Sequence, residues 1–180
     1  MDRAYLITFH TYGTWLHGVE KGWVEPGMNV VGMEFGRKDE GRLRRDTEGL
    51  RHGGVVLGEE ERRVVEGEIR RTCELRGWRL HAINVRTNHV HVVVTAKEEP
   101  EHVMTSFKAW ATKALRARGL VGEGTKVWSR HGSTRWLHKE TTIVSACDYV
   151  NRLQSSEAVR ARVEKKRRWE EQVRKKKEME

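Results

Sequence analysis

Asn88-His89-Val90-His91-Val92-Val93-Val94 is the stretch that decides the fold. On a β-strand successive side chains alternate, so His89 and His91 share one face while Val90, Val92 and Val94 share the other. The valines are the natural inward face, which predicts a sheet covered by helices on that side and open on the histidine side. Upstream, Trp78 to Val85 reads as a second strand, joined to His89–Ala96 by a tight turn at Arg86-Thr87-Asn88. Further back, Glu59-Glu60-Glu61 opens a helix whose acidic first turn suits the helix dipole, and Val65, Ile69 and Cys73 recur at helical spacing to about Arg76. Ala4 to His10 is a first strand. Downstream, Glu101 to Arg118 is a helix with the stripe Val103, Phe107, Ala111, Ala114 and Leu115. Lys126–Arg130 and Arg135–Leu137 suggest one or two short strands around Gly132-Ser133, and Lys139 to about Gln154 a third helix. The order β, insertion, α, β, β, α, β, α predicts an α+β fold: a ferredoxin-like antiparallel sheet with helices on one face.

The segment between Tyr12 and Gly58 holds 11 of the 17 glycines and little periodicity. We read residues 11–58 as a long ordered insertion, with a short hairpin, inside a domain spanning 1–156. A plain loop of that length is uncommon in a compact domain, which points to a functional segment. From Glu157 to Glu180 the chain is nearly all charged, with ten Lys/Arg and six Glu. That reads as a solvent-exposed charged helix or a tail that binds nucleic acid non-specifically.

Thirty-five Lys and Arg against 26 Asp and Glu leave a net charge of +9 in 180 residues. The excess suits a polyanionic partner, nucleic acid or an anionic membrane surface. No run approaches the ~20 apolar residues of a membrane span, and the opening residues lack a secretory signal. Cys73 and Cys147 stand far apart with no Cys-x-x-Cys, against a disulfide framework or zinc ribbon. A cytoplasmic, nucleoid-associated protein is expected.

Two imidazoles at i, i+2 on a strand are able to bind one divalent ion; unliganded, they are two half-exposed strand histidines. Phosphodiester chemistry at a metal often uses a side-chain nucleophile, and only three tyrosines are present. Tyr5 lies within the first strand, and Tyr12 at its end. Tyr149 lies on the last helix, about 120° from the centre of the stripe formed by Ile143, Ala146, Cys147 and Val150.

The chain resembles the single-tyrosine HUH transposases, including the REP-associated tyrosine transposases. The segments that carry the resemblance are Thr8-Phe9-His10-Thr11-Tyr12-Gly13-Thr14-Trp15-Leu16-His17-Gly18, Asn88-His89-Val90-His91, Ser106-Phe107-Lys108, Trp128-Ser129-Arg130-His131-Gly132-Ser133, and Asp148-Tyr149-Val150 with Gln154. They occur in the family's order between Ala4 and Gln154. The resemblance implies cleavage and strand transfer on single-stranded or hairpin DNA through a covalent 5′-phosphotyrosine. It makes Tyr149 the nucleophile, and His89 and His91 the ligands of Mg²⁺ or Mn²⁺. The family's third polar ligand, four residues after the tyrosine, is Leu153 here, which cannot ligate. Gln154 stands in for it, about 140° around an ideal helix from Tyr149.

Arg86, Lys108, Arg130 and Arg135 are candidate DNA contacts, and Trp128 and Trp136 candidate base-stacking platforms. A non-catalytic DNA hairpin-binding regulator on the same fold is the alternative function. A two-histidine phosphoesterase needs two His-x-Ser/Thr motifs, and only His131-Gly132-Ser133 fits. The sequence leaves monomer or homodimer undecided.

Overall fold

A computed structural model of the chain describes residues 2–14, 16 and 39–151. Eight elements follow one another among these residues: β1 (Arg3–Thr11), α1 (Glu40–Glu48), α2 (Glu59–Arg76), β2 (Arg79–Val85), β3 (His89–Ala96), α3 (Pro100–Ala117), β4 (Trp128–Leu137) and α4 (Glu140–Asn151). The four strands form one sheet in the order β2-β3-β1-β4, with every neighbouring pair antiparallel. The α+β, ferredoxin-like class read from the sequence is the class observed. Gln154 and the 157–180 segment lie outside the described residues, as does the middle of the insertion.

The valine face works as expected. Val90, Val92 and Val94 are fully buried with Tyr5, Ile7 and Phe9 of β1, beneath Val65 and Ile69 of α2 and Val103, Phe107, Ala111 and Leu115 of α3. Each Val, Ile, Leu or Phe among them is worth ~1.5–3 kcal/mol when fully removed from water, so this face holds most of the apolar stabilisation. Helix α2 stops at Gly77, which adopts a left-handed conformation (φ 66°), and Trp78 N–H closes the end on Cys73 O at 2.8 Å. Helix α3 starts on Pro100, where the missing N–H costs nothing.

Three features depart from the sequence reading. The described part of the insertion carries a helix, α1, which the sequence reading did not include; Asp39 caps it, its Oδ1 accepting from Arg42 N–H at 2.9 Å. The region around Gly132-Ser133 is one continuous ten-residue strand. Its pairing with β1 is interrupted by a bulge, in which Ser129, Arg130 and His131 stand opposite the single residue His10.

The third departure concerns the histidine face, which is not open throughout. Helix α4 packs against it, burying Ala146 and Val150 on Ala4, Ala82, Val93 and Leu137, with Leu6, Ile143, Cys147 and Tyr149 at the margin. Val93, the middle valine of the run, points to this side. A strand apolar on both faces is one covered on both. That layer brings α4 to the histidines.

Candidate active site

Antiparallel register sets out the site in transverse rows. Asn84 of β2 pairs with His91 of β3, His91 with Thr8 of β1, and Thr8 with Ser133 of β4. Directly opposed residues share a face, so all four lie on the α4 side of the sheet. One row on, His10 pairs with His89. In the other direction Ala82, Val93, Leu6 and Arg135 form the row on which α4 rests.

The two imidazoles of β3 stand edge to face with ring centres 4.8 Å apart. Both have their Nδ1 atoms engaged. His89 Nδ1 lies 2.7 Å from Asn88 Oδ1, an acceptor, which puts the ring proton on Nδ1 and the lone pair on Nε2. His91 Nδ1 lies 2.7 Å from Thr8 Oγ1. His91 is nearly buried and His89 only partly so. This donor chemistry suits a divalent ion taken through Nε2 with Nδ1 held by an oxygen, the usual second-shell arrangement of a metal-binding histidine. Among the described residues no group of three or more His, Cys, Asp or Glu forms a larger ligand cluster.

Tyr149 meets this pair. Its ring centre is 5.8 Å from that of His91, the planes at 80°, and the side chain is partly buried at the edge of the α4 contact. The other two tyrosines are occupied elsewhere. Tyr5 is fully buried and its hydroxyl donates to Glu98 O at 3.0 Å. Tyr12 is buried against His52, and its hydroxyl accepts from Arg51 N–H at 2.9 Å. Asn84 holds α4 in place: its Nδ2 donates to Val150 O at 2.8 Å, beside Tyr149.

The turn before the histidine strand is anchored from the insertion side. Asn88 O accepts from Thr11 N–H at 2.9 Å and from the hydroxyls of Thr11 and Thr14, while Leu57 N–H donates to Thr87 O at 2.7 Å. His10 was not singled out by sequence reasoning, although its strand and parity were readable. Its ring centre lies 5.6 Å from that of His89. Burial above all, with His89 and then Lys108, lowers its pKa to about 4, so it is neutral at neutral pH.

The expected DNA contacts are distributed unevenly. Arg130 and Arg135 are exposed on β4, Arg130 in the bulge opposite His10 and Arg135 on the α4 side of the sheet. Arg86 sits in the β2–β3 turn, its N–H bonded to His89 O at 2.8 Å. Lys108 is occupied internally. Its ammonium donates to Ser129 O at 3.0 Å, His131 O at 3.2 Å and Arg130 O at 3.4 Å, and lies 5.5 Å from the centre of the Phe9 ring. These carbonyls belong to the bulge, where the strand ladder supplies no donor, so the lysine fastens the segment that displays Arg130. Trp128 is buried, its indole N–H donating to Lys108 O; Trp136 is 38% exposed, with the Arg3 guanidinium 5.0 Å from its centre.

No family model matches the chain, and no curated protein matches it. Two of the solved structures that resemble it do so at low sequence identity. One is a REP-associated tyrosine transposase bound to a REP hairpin, with 11% identity, a TM-score of 0.48, and coverage of 82% of this chain. The chain spans 64% of that protein's length. The other is a crystal structure of a Deinococcus radiodurans R1 protein carrying a provisional transposase name, with 13% identity, a TM-score of 0.48, and coverage of 83% of this chain and 89% of that one. No helix among the described residues is long and apolar enough to cross a membrane.

Proposed function

We propose that the protein is a DNA nickase and strand transferase of the transposase type, acting on single-stranded or hairpin DNA with Tyr149 as nucleophile. The observation that carries this reading is the convergence of Tyr149, from α4, on the paired imidazoles His89 and His91 of β3. A tyrosine hydroxyl is mostly protonated at neutral pH and attacks a phosphodiester poorly without help. His89 and His91 are the residues that would hold Mg²⁺ or Mn²⁺, which when bound polarises the scissile phosphate and offsets its charge. Thr8 and Asn88 orient the two rings, and Asn84 holds the helix that carries the nucleophile.

In the reaction, Tyr149 Oη attacks phosphorus and the phenolic proton is released. The Oη–P bond forms as the P–O3′ bond breaks, and the departing 3′ oxygen takes up a proton. The products are a 5′-phosphotyrosine and a free 3′ hydroxyl. Attack by a 3′ hydroxyl on that linkage reverses the step, so rejoining needs no ATP. Arg130 and Arg135, exposed on the strand beside this face, are assigned to the phosphate backbone of the substrate. Gln154 is retained as a third ligand from the sequence alone.

The test is an SDS-stable protein–DNA adduct on hairpin oligonucleotides with Mn²⁺ or Mg²⁺. Wild type is expected to form it; Tyr149→Phe and His91→Ala are not. A wild type that binds hairpins but forms no adduct across varied substrates, with either ion, identifies the non-catalytic hairpin-binding regulator instead.

A further inference from the structure

The helical side of the sheet carries a second feature at the histidine end. A groove of about 610 Å³ runs between α3 and the start of β4, lined by Lys108, Lys113, Arg116 and Lys126 together with Thr105, Thr112 and Ser129. No carboxylate lines it. Lys113, Arg116 and Lys126 are exposed, and none is ion-paired among the described residues. The arginines of α2 differ: Arg63, Arg70 and Arg71 each face a glutamate one turn away, at 3.6, 2.7 and 3.3 Å. Cations left without counter-ions around a concave surface repel one another and favour an anion between them.

From this we infer that the α3–β4 groove is a backbone-binding track for a duplex DNA stem, separate from the face that carries His89, His91 and Tyr149. The inference rests on the DNA reading above and adds where the stem is held. Two observations select a duplex backbone over stacked single strands. The groove's one aromatic lining residue, Trp128, is 6% exposed with its indole N–H already bonded, so no platform for bases is offered. What is offered is positive charge on both walls, Lys113 and Arg116 from α3 and Lys126 from the segment before β4, which reads phosphates without sequence. Position fits as well. The groove opens where β1 ends and β4 begins, the same end of the sheet as His10 and His89, and its Lys108 lies under the bulge opposite His10. A stem held there has its flanking strand beside the histidine face.

The experiment is metal-free binding of a DNA hairpin with an arbitrary 12-base-pair stem, measured across a salt series. Converting Lys113, Arg116 and Lys126 together to Gln is expected to lower affinity at least tenfold and to flatten the log–log salt slope by about 2.7, three contacts at ~0.9 each. Converting Arg63, Arg70 and Arg71 to Gln removes the same charge and is expected to change the slope by less than about 1. Equal losses in the two triple variants overturn the groove. A second measurement needs no variant: bound hairpin is expected to shield Lys113 and Lys126 of wild type from acetylation while leaving Lys97 reactive. Equal labelling with and without DNA overturns the proposal. Wild type that binds no hairpin sinks the DNA reading itself, whereas binding unaffected by the groove residues removes only the groove.

Discussion

Thr8 Oγ1 and His91 Nδ1 lie 2.7 Å apart across the β1–β3 pair, in the row that continues to Asn84 on one side and Ser133 on the other. The contact fixes the rotation of an imidazole whose ring otherwise meets those of His89 and Tyr149. Thr8→Val keeps shape and strand propensity but removes the oxygen. The expected outcome is a 10–100-fold loss of Mn²⁺ affinity, the usual cost of deleting a second-shell partner, with Thr8→Ser restoring most of it. Calorimetric titration of Mn²⁺ into the two variants checks this; unchanged affinity in Thr8→Val rules out the orienting role.

Asn84 offers a second, independent handle on the same site. The Asn84 amide donates to Val150 O and so ties α4 to β2. Asn84→Leu removes that hydrogen bond, a cost of ~0.5–1.5 kcal/mol. Faster amide exchange confined to α4 is expected, together with slower adduct formation at unchanged hairpin affinity. Exchange that speeds up equally in β1 and β3 marks general destabilisation and rejects the positioning role.

Much of this fold was legible because periodicity carries it. The Val90-Val92-Val94 face, the stripe on α3 and the acidic start of α2 each follow from spacing alone, and the strand order follows from their succession. The pairing of His89 with His91 was likewise visible in the alternation. Long-range register was not. Nothing local to Asn84, Thr8 or His10 says that these residues flank the histidines, because they come from strands 5 to 83 residues away. Helix α4 was placed on the wrong layer because its own apolar stripe is short; the second apolar face of β3, signalled by Val93, was the clue. Lys108 reads from the sequence as a candidate DNA contact; its internal role is not legible there, since its three acceptors arise from a bulge that exists only once β4 is paired.

Gly132 tests how closely β4 is pressed to β1. A Cβ there would overlap Met104 Sδ from α3 and the backbone oxygen of Thr8. Gly132→Ala therefore forces two neighbours apart in a packed layer, with an expected cost of ~1–3 kcal/mol. A domain of this size loses ~2–4 °C in melting temperature per kcal/mol, which a thermal melt resolves. A melting temperature equal to or above that of wild type contradicts the packing described.

Lys108 gives the protein a measurable alkaline signature. Burial pulls its pKa from the ordinary 10.5 down to about 8, even though three carbonyls receive its protons. The unfolded chain keeps that proton to about 10.5, while the folded one releases it near 8. Between those values the unfolded state binds more protons, so this group makes stability rise with pH; below 8 both states are charged and it contributes no slope. Cys73 acts in the opposite sense. Burial raises its thiol from 9.0 to about 12, so the folded state holds the extra proton and stability falls across that range. Urea midpoints from pH 7.5 to 10.5, wild type minus Lys108→Met, cancel the cysteine and isolate the lysine. The difference is expected to grow in favour of wild type as pH rises, by no more than the slope of one proton. A flat difference would mean that the ammonium is as well solvated by the three carbonyls in the folded protein as by water in the unfolded chain.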